Sequence, residues 1–183
     1  MTTPARTIVA LVEDRPGVLN RVSSLFRRRG FNISSVAVGR SEQPNLSRMT
    51  FVVEGDEATI EQVTKQLNKL IEIIRVSELS DEDVVARELA LIKVHASPAN
   101  RSEIIQIAEL FRAHIVDVSP NSLVIETSGE EDKINALHNL LRPFGIREVI
   151  RTGRIAITRG AAGEARRERV RAHTTVAADY EGA

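Results

Sequence analysis

Thr7-Ile8-Val9-Ala10-Leu11-Val12-Glu13-Asp14-Arg15-Pro16-Gly17-Val18-Leu19 is the stretch that decides the fold. Residues 7–12 form a short apolar run rich in β-branched side chains, the pattern of a buried strand. Residues 13–17 break it with charge, proline and glycine. From Val18 the period changes, because Val18, Leu19, Val22, Leu25 and Phe26 share one face of a 3.6-residue helix. Arg27, Arg28 and Arg29 stand in its last turn, where cations complement the helix dipole, and Gly30 is the stop signal.

Working outward, residues 33–38 read as the next strand, and a polar loop at 39–45 leads to another over 48–54. A second helix carries Ile60, Val63, Leu67 and Leu70 on one face, and residues 73–79 close the unit as a strand. The order is β-α-β-β-α-β, the split βαβ arrangement. After the acidic break Ser80-Asp81-Glu82-Asp83 the same order returns at an offset of roughly 80 positions. Residues 89–94, 114–118, 123–127, 146–150 and 154–158 read as strands. One helix carries Ile104, Ile107, Ala108 and Phe111, and another, halted by Pro143, carries Ile134, Leu137 and Leu141. The expected class is α+β: two tandem ferredoxin-like βαββαβ domains at 6–80 and 87–160, a linker at 81–86, and a disordered tail at 161–183. That tail holds Arg166, Arg167, Arg169 and Arg171, which could also serve as a basic partner contact.

Bulk composition narrows the function. The 183 residues contain 25 Lys plus Arg against 25 Asp plus Glu, so no electrostatic pull toward nucleic acid or an anionic membrane is expected. Cysteine is absent, which removes disulfides, thiolate metal sites and cysteine nucleophiles. No apolar run approaches the ~20 residues of a membrane span, and a cytoplasmic location is expected. Aromatics make up 3% of the chain and do not repeat along the strands, so the sheet lacks the stacking platform of an RNA binder. His95, His114, His138 and His173 lack metal-ligand spacing, and neither a nucleophile elbow nor a phosphate loop is present. The expectation is no catalytic residue, no metal and no cofactor bound by this chain.

The informative segment is again the break between first strand and first helix. Pro16 suits a helix start because its φ is preset and its missing N–H costs nothing there. Gly17, without a Cβ, lets a ligand approach the backbone. The N–H groups of a helix start, with the dipole, favour a carboxylate. Asn32 offers a carbonyl that can accept from an ammonium group. If both faced one cleft, they would meet the two ends of a free amino acid, with Val and Ile side chains selecting an aliphatic one. The same residues also suit a plain turn and cap.

Asp14-x-Pro16-Gly17-Val18-Leu19 after a β-branched strand resembles the ACT domain, a regulatory amino-acid-binding module. Arg28-Arg29-Gly30-Phe31-Asn32-Ile33-Ser34-Ser35-Val36, Leu46-Ser47-Arg48-Met49-Thr50 and Gln66-Leu67-Asn68-Lys69-Leu70 are similar to one branch of it, the acetohydroxyacid (acetolactate) synthase small subunits. Arg87-Glu88-Leu89-Ala90-Leu91-Ile92-Lys93-Val94, Ile115-Val116-Asp117-Val118-Ser119-Pro120, Pro143-Phe144-Gly145-Ile146-Arg147-Glu148 and Thr158-Arg159-Gly160 resemble that branch's C-terminal domain. The resemblance implies a homodimer through ACT domains that binds valine or a related branched-chain amino acid between them. It also implies a large catalytic partner using thiamine diphosphate, Mg²⁺ and FAD, which the small subunit activates and places under feedback inhibition. On this resemblance Asp14, Arg15, Pro16, Gly17, Val18 and Leu19 belong to the effector site, with Gly17 and its helix-start neighbours holding the carboxylate. Asn32 takes its amino group, with Ile33 lining the pocket. Asp14 stands where some members carry Asn; an acid there pairs with the ammonium or repels the carboxylate. The alternative is a free-standing amino-acid-binding ACT homodimer that regulates a different enzyme.

Overall fold

The computed structural model describes residues 5–79 and 84–160; the acidic break at 80–83 and the expected tail at 161–183 lie outside the described residues. Alternation along the first strand, β1 (Ala5–Glu13), sets the architecture: Ile8, Ala10 and Val12 point to one face and are fully buried. Onto that face pack α1 (Val18–Arg29) and α2 (Glu57–Leu67), through Val18, Val22, Leu25 and Phe26 of the first helix and Ile60, Val63 and Leu67 of the second. With β2 (Asn32–Arg40), β3 (Leu46–Glu54) and β4 (Ile73–Leu79) the strands form an antiparallel sheet in the order β2-β3-β1-β4. Phe26 anchors this core, edge-on to Phe31 at 6.1 Å and tilted on Phe51 at 5.3 Å. Each fully buried side chain of this kind contributes roughly 1.5–3 kcal/mol.

The second half repeats the plan. Its elements are β5 (Val84–His95), α3 (Arg101–Leu110), β6 (His114–Ser119), β7 (Ser122–Gly129), α4 (Glu131–Leu141), β8 (Ile146–Arg151) and β9 (Ile155–Thr158). The sheet order is β6-β7-β5-β8, and a core of Ile92, Val94, Ile104, Leu123, Ile125, Ile134 and Leu137 lies beneath its helices. The fold is α+β, with two successive βαββαβ units of ferredoxin-like form.

Several local details differ from expectation. Residues 84–86, read as linker, belong to β5, whose first four residues pair with β9. The reason is tertiary: Val84 and Ala156 close on Val9 and Leu79, so the β5–β9 ribbon covers the helix-free face of the first sheet. Leu70 follows the end of α2 and still packs on the core, while Phe111 caps α3 rather than continuing it. Leu19, expected on the buried face of α1, is 49% exposed. Pro16 lies one residue before the helix cap, not at the first helical position.

Candidate functional site

β1 ends at Glu13, and the chain must reverse to lay α1 on the sheet. Arg15-Pro16-Gly17-Val18 makes that reversal as a type II turn. Gly17 takes its third position with φ 90° and ψ −16°, and the Val18 N–H faces the Arg15 carbonyl at 3.5 Å. Glycine is required here for its backbone conformation as well as for access. A Cβ built on Gly17 would meet nothing within 4 Å, so the space before the turn is open. Gly17 is the N-cap of α1, and the first helical bond runs from the Arg21 N–H to its carbonyl at 3.0 Å. No side chain caps the helix start, and no acidic residue stands in its first turn. The helix-start donors and dipole therefore keep their affinity for an anion.

Charged groups frame the turn in balanced pairs. Arg15 meets Glu13 at 2.7 Å and Glu72 at 3.6 Å, and Arg21 reaches the same Glu72. Asp14 faces Arg40 at 3.9 Å, and its N–H bonds to the Asn45 carbonyl. The Val18 side chain is buried in the core, so only its backbone is available to a ligand, whereas exposed Leu19 offers apolar surface beside the turn.

Asn32 opens β2 and is exposed. Its amide N–H donates to Glu54 Oε2 at 2.9 Å, and its amide carbonyl is chemically an acceptor for a ligand donor. Ile33 is half-buried against the first core. Strand register places Asn32 beside Glu54, itself opposite Ala5, whereas Glu13 and the turn lie at the Leu46 end. Eight residue steps separate the two ends, roughly 27 Å along the sheet. Gly17 and Asn32 of one chain therefore do not share a hollow. The expected split βαβ order already implies this separation, because α1 carries the chain back along the sheet and β2 then runs parallel to β1.

A separate apolar groove of about 350 Å³ runs between the helix-free face of β2–β3 and the β5–β9 ribbon. Val38, Thr50, Val85, Ile155 and Ile157 line it, with Arg40 among its polar residues. It lies on the sheet face away from the turn's helix. Among the described residues no group of three or more His, Cys, Asp or Glu could hold a metal ion, and no helix is long and apolar enough to cross a membrane.

Comparison with known proteins places this geometry. The model of the AHAS small subunit-like ACT domain matches residues 8–75, which span the turn, α1 and Asn32, and the model of the small subunit of acetolactate synthase matches 87–160. The chain belongs to the acetolactate synthase small-subunit family. A relative from Archaeoglobus fulgidus is 58% identical over 154 residues, 84% of this chain and 96% of its own length. The acetolactate synthase small subunit of Mycolicibacterium smegmatis is 53% identical, over 88% of this chain and 95% of its own. The crystal structure of the Thermotoga maritima small subunit superposes with a TM-score of 0.82 at 44% identity, covering 86% of this chain and 98% of that one. Membership, with its ACT domain, supports a regulatory small-subunit role for this chain.

Three residues of the surroundings escaped sequence reading: Glu72, Arg21 and Glu54. Glu72 carried a signal, as the lone charge in Leu70-Ile71-Glu72-Ile73-Ile74. Arg21 and Glu54 carried none, since surface charges at helix and strand ends are ordinary.

Proposed function

We propose that this chain activates the acetolactate synthase large subunit and makes it sensitive to valine or another branched-chain amino acid. The uncapped, acid-free start of α1 behind the open Pro16-Gly17 turn carries the reading. It offers donors to a carboxylate, and Leu19 offers an aliphatic side chain a surface. The amino group needs an acceptor from elsewhere, because Asn32 of the same chain is a sheet length away. β2 is an edge strand, bearing Val36 and Val38 at 44% and 49% exposure. Antiparallel pairing of two such edges about a two-fold axis brings the start of one β2 to the finish of the other. A homodimer would thus put Asn32 of one copy near the helix start of its neighbour, forming two equivalent sites that each accept one zwitterion. Asp14, Arg15, Pro16, Gly17, Val18 and Leu19 would come from one copy, Asn32 and Ile33 from the other.

Catalysis belongs, on this reading, to the large subunit, with thiamine diphosphate, Mg²⁺ and FAD as its cofactors; this chain supplies none of them. The test is reconstitution with the cognate large subunit and a titration with L-valine, L-leucine and L-isoleucine. Added chain should raise turnover, and one of the three should reverse the gain. Turnover indifferent to the chain, or to all three amino acids, refutes the proposal. Binding of a polar amino acid alone would point instead to a sensor serving another enzyme.

A further inference from the structure

We infer that Glu72 is the positioning residue of the effector turn, and that the charge balance it maintains selects a zwitterion over a simple anion. The inference rests on the amino-acid-sensor reading above. Glu72 sits between α2 and β4, remote in sequence from the turn, with its side chain only 4% exposed. A carboxylate so buried is tolerated only with charged or hydrogen-bonded partners. Its partners grip the turn from three sides. The Glu72 backbone carbonyl accepts from Glu13 N–H at 2.9 Å, and its carboxylate meets Arg15 before Gly17 and Arg21 after it. Glu72 Oε2 is buried without a hydrogen-bond partner among the described residues, so the two arginines carry the whole compensation of its charge.

Among the described residues no other acid pairs with Arg21. α1 lacks a side-chain cap and an acid in its first turn, and Arg21 is a cation one turn from the helix start, where the dipole disfavours it. Glu72 supplies the missing negative charge from outside the helix. Around the turn the acids Glu13, Asp14 and Glu72 are matched by Arg15, Arg21 and Arg40. Within one copy the turn therefore meets its ligand with backbone dipoles and no net charge, and Glu54 would arrive with Asn32 of the neighbour on the side of the ligand's ammonium. That suits an amino acid, which carries both charges, better than the 2-oxo acid of the same side chain, which carries only the negative one.

The experiment is calorimetric titration of the full chain with L-valine and, separately, with 3-methyl-2-oxobutanoate. Should wild type prefer another branched-chain amino acid, that amino acid and its own 2-oxo acid replace the pair. Glu72→Gln preserves shape, removes one negative charge, frees the Arg21 guanidinium and leaves Arg15 to Glu13 alone. Its amino-acid Kd should rise about tenfold, while preference for the amino acid over the oxo acid falls at least threefold. Arg21→Gln changes the charge in the opposite sense and should raise that preference. Glu72→Asp, keeping the charge, should restore most of it. A purely structural role would weaken both ligands by the same factor in every variant, and that result overturns the inference while leaving the sensor reading intact. Unchanged constants for Glu72→Gln overturn it equally, and Arg21→Gln decides the matter if Glu72→Gln does not fold. Wild-type chain that binds no branched-chain amino acid removes both readings together.

Discussion

Substituting Gly17 by Ala, Asn and Asp in parallel separates the two demands placed on this position, backbone conformation and charge. At φ 90° an alanine is strained by about 1–2 kcal/mol, whereas Asn and Asp tolerate the left-handed region better. Because a Cβ meets nothing within 4 Å, strain is the whole folded-state cost. For a chain of this size the alanine variant should melt roughly 2–8 °C lower. Effector response should follow a different order. Aspartate places a carboxylate within about 5 Å of the bound one, a repulsion of roughly 3 kcal/mol at an effective dielectric of 20. Screening at the exposed turn reduces that, so Asp should raise the half-inhibitory valine concentration about 10- to 100-fold above that of isosteric Asn. Thermal melts by circular dichroism give the first order, and valine titration of the reconstituted synthase gives the second. Equal valine responses from Asn and Asp would falsify the assignment of an anion site to this turn.

Three further outcomes are expected. Phe26→Ala removes the ring at the centre of the first core and should destabilise the chain by about 3–5 kcal/mol in urea unfolding. Asp56 caps α2 by accepting from Thr59 N–H at 2.8 Å and Thr59 Oγ1 at 2.6 Å, bonds that hold its carboxyl below its ordinary 3.8. A lowered folded-state value means stabilisation that is complete above the ordinary one and fades as pH falls through the lowered one. Asp56→Ala should therefore melt lower than wild type at pH 7, with the gap closing below about pH 4. Gly153, at φ 80°, lies against β2: a Cβ there would come within 2.6 Å of Ser35 Oγ and 3.3 Å of the Val36 carbonyl. Gly153→Ala should loosen the β8–β9 turn from the first unit, seen as faster amide exchange in β9 and at Arg154, whose N–H donates to Ser35 Oγ at 3.0 Å. Unaltered exchange there would mean that the contact does not hold the two units together.

What the chain determines by itself is local. Five apolar residues before Glu13 and a 3.6-residue period after Gly17 specify strand and helix, because burial of one face requires that spacing whatever covers it. The turn residues were equally legible, since Pro16 presets its φ and Gly17 adopts conformations that other residues avoid. Even so, the positive φ that makes Gly17 necessary emerged only with the turn formed. Tertiary structure decided everything that depends on which distant segments meet. It drew residues 84–86 out of a supposed linker to pair with β9, and carried Glu72 beneath a turn more than fifty positions away. Periodicity records which face of an element is apolar and is silent about the identity of its neighbour. Buried charge pairs and contacts between the two units arise from that choice of neighbour, so they become visible only when the sheets have closed.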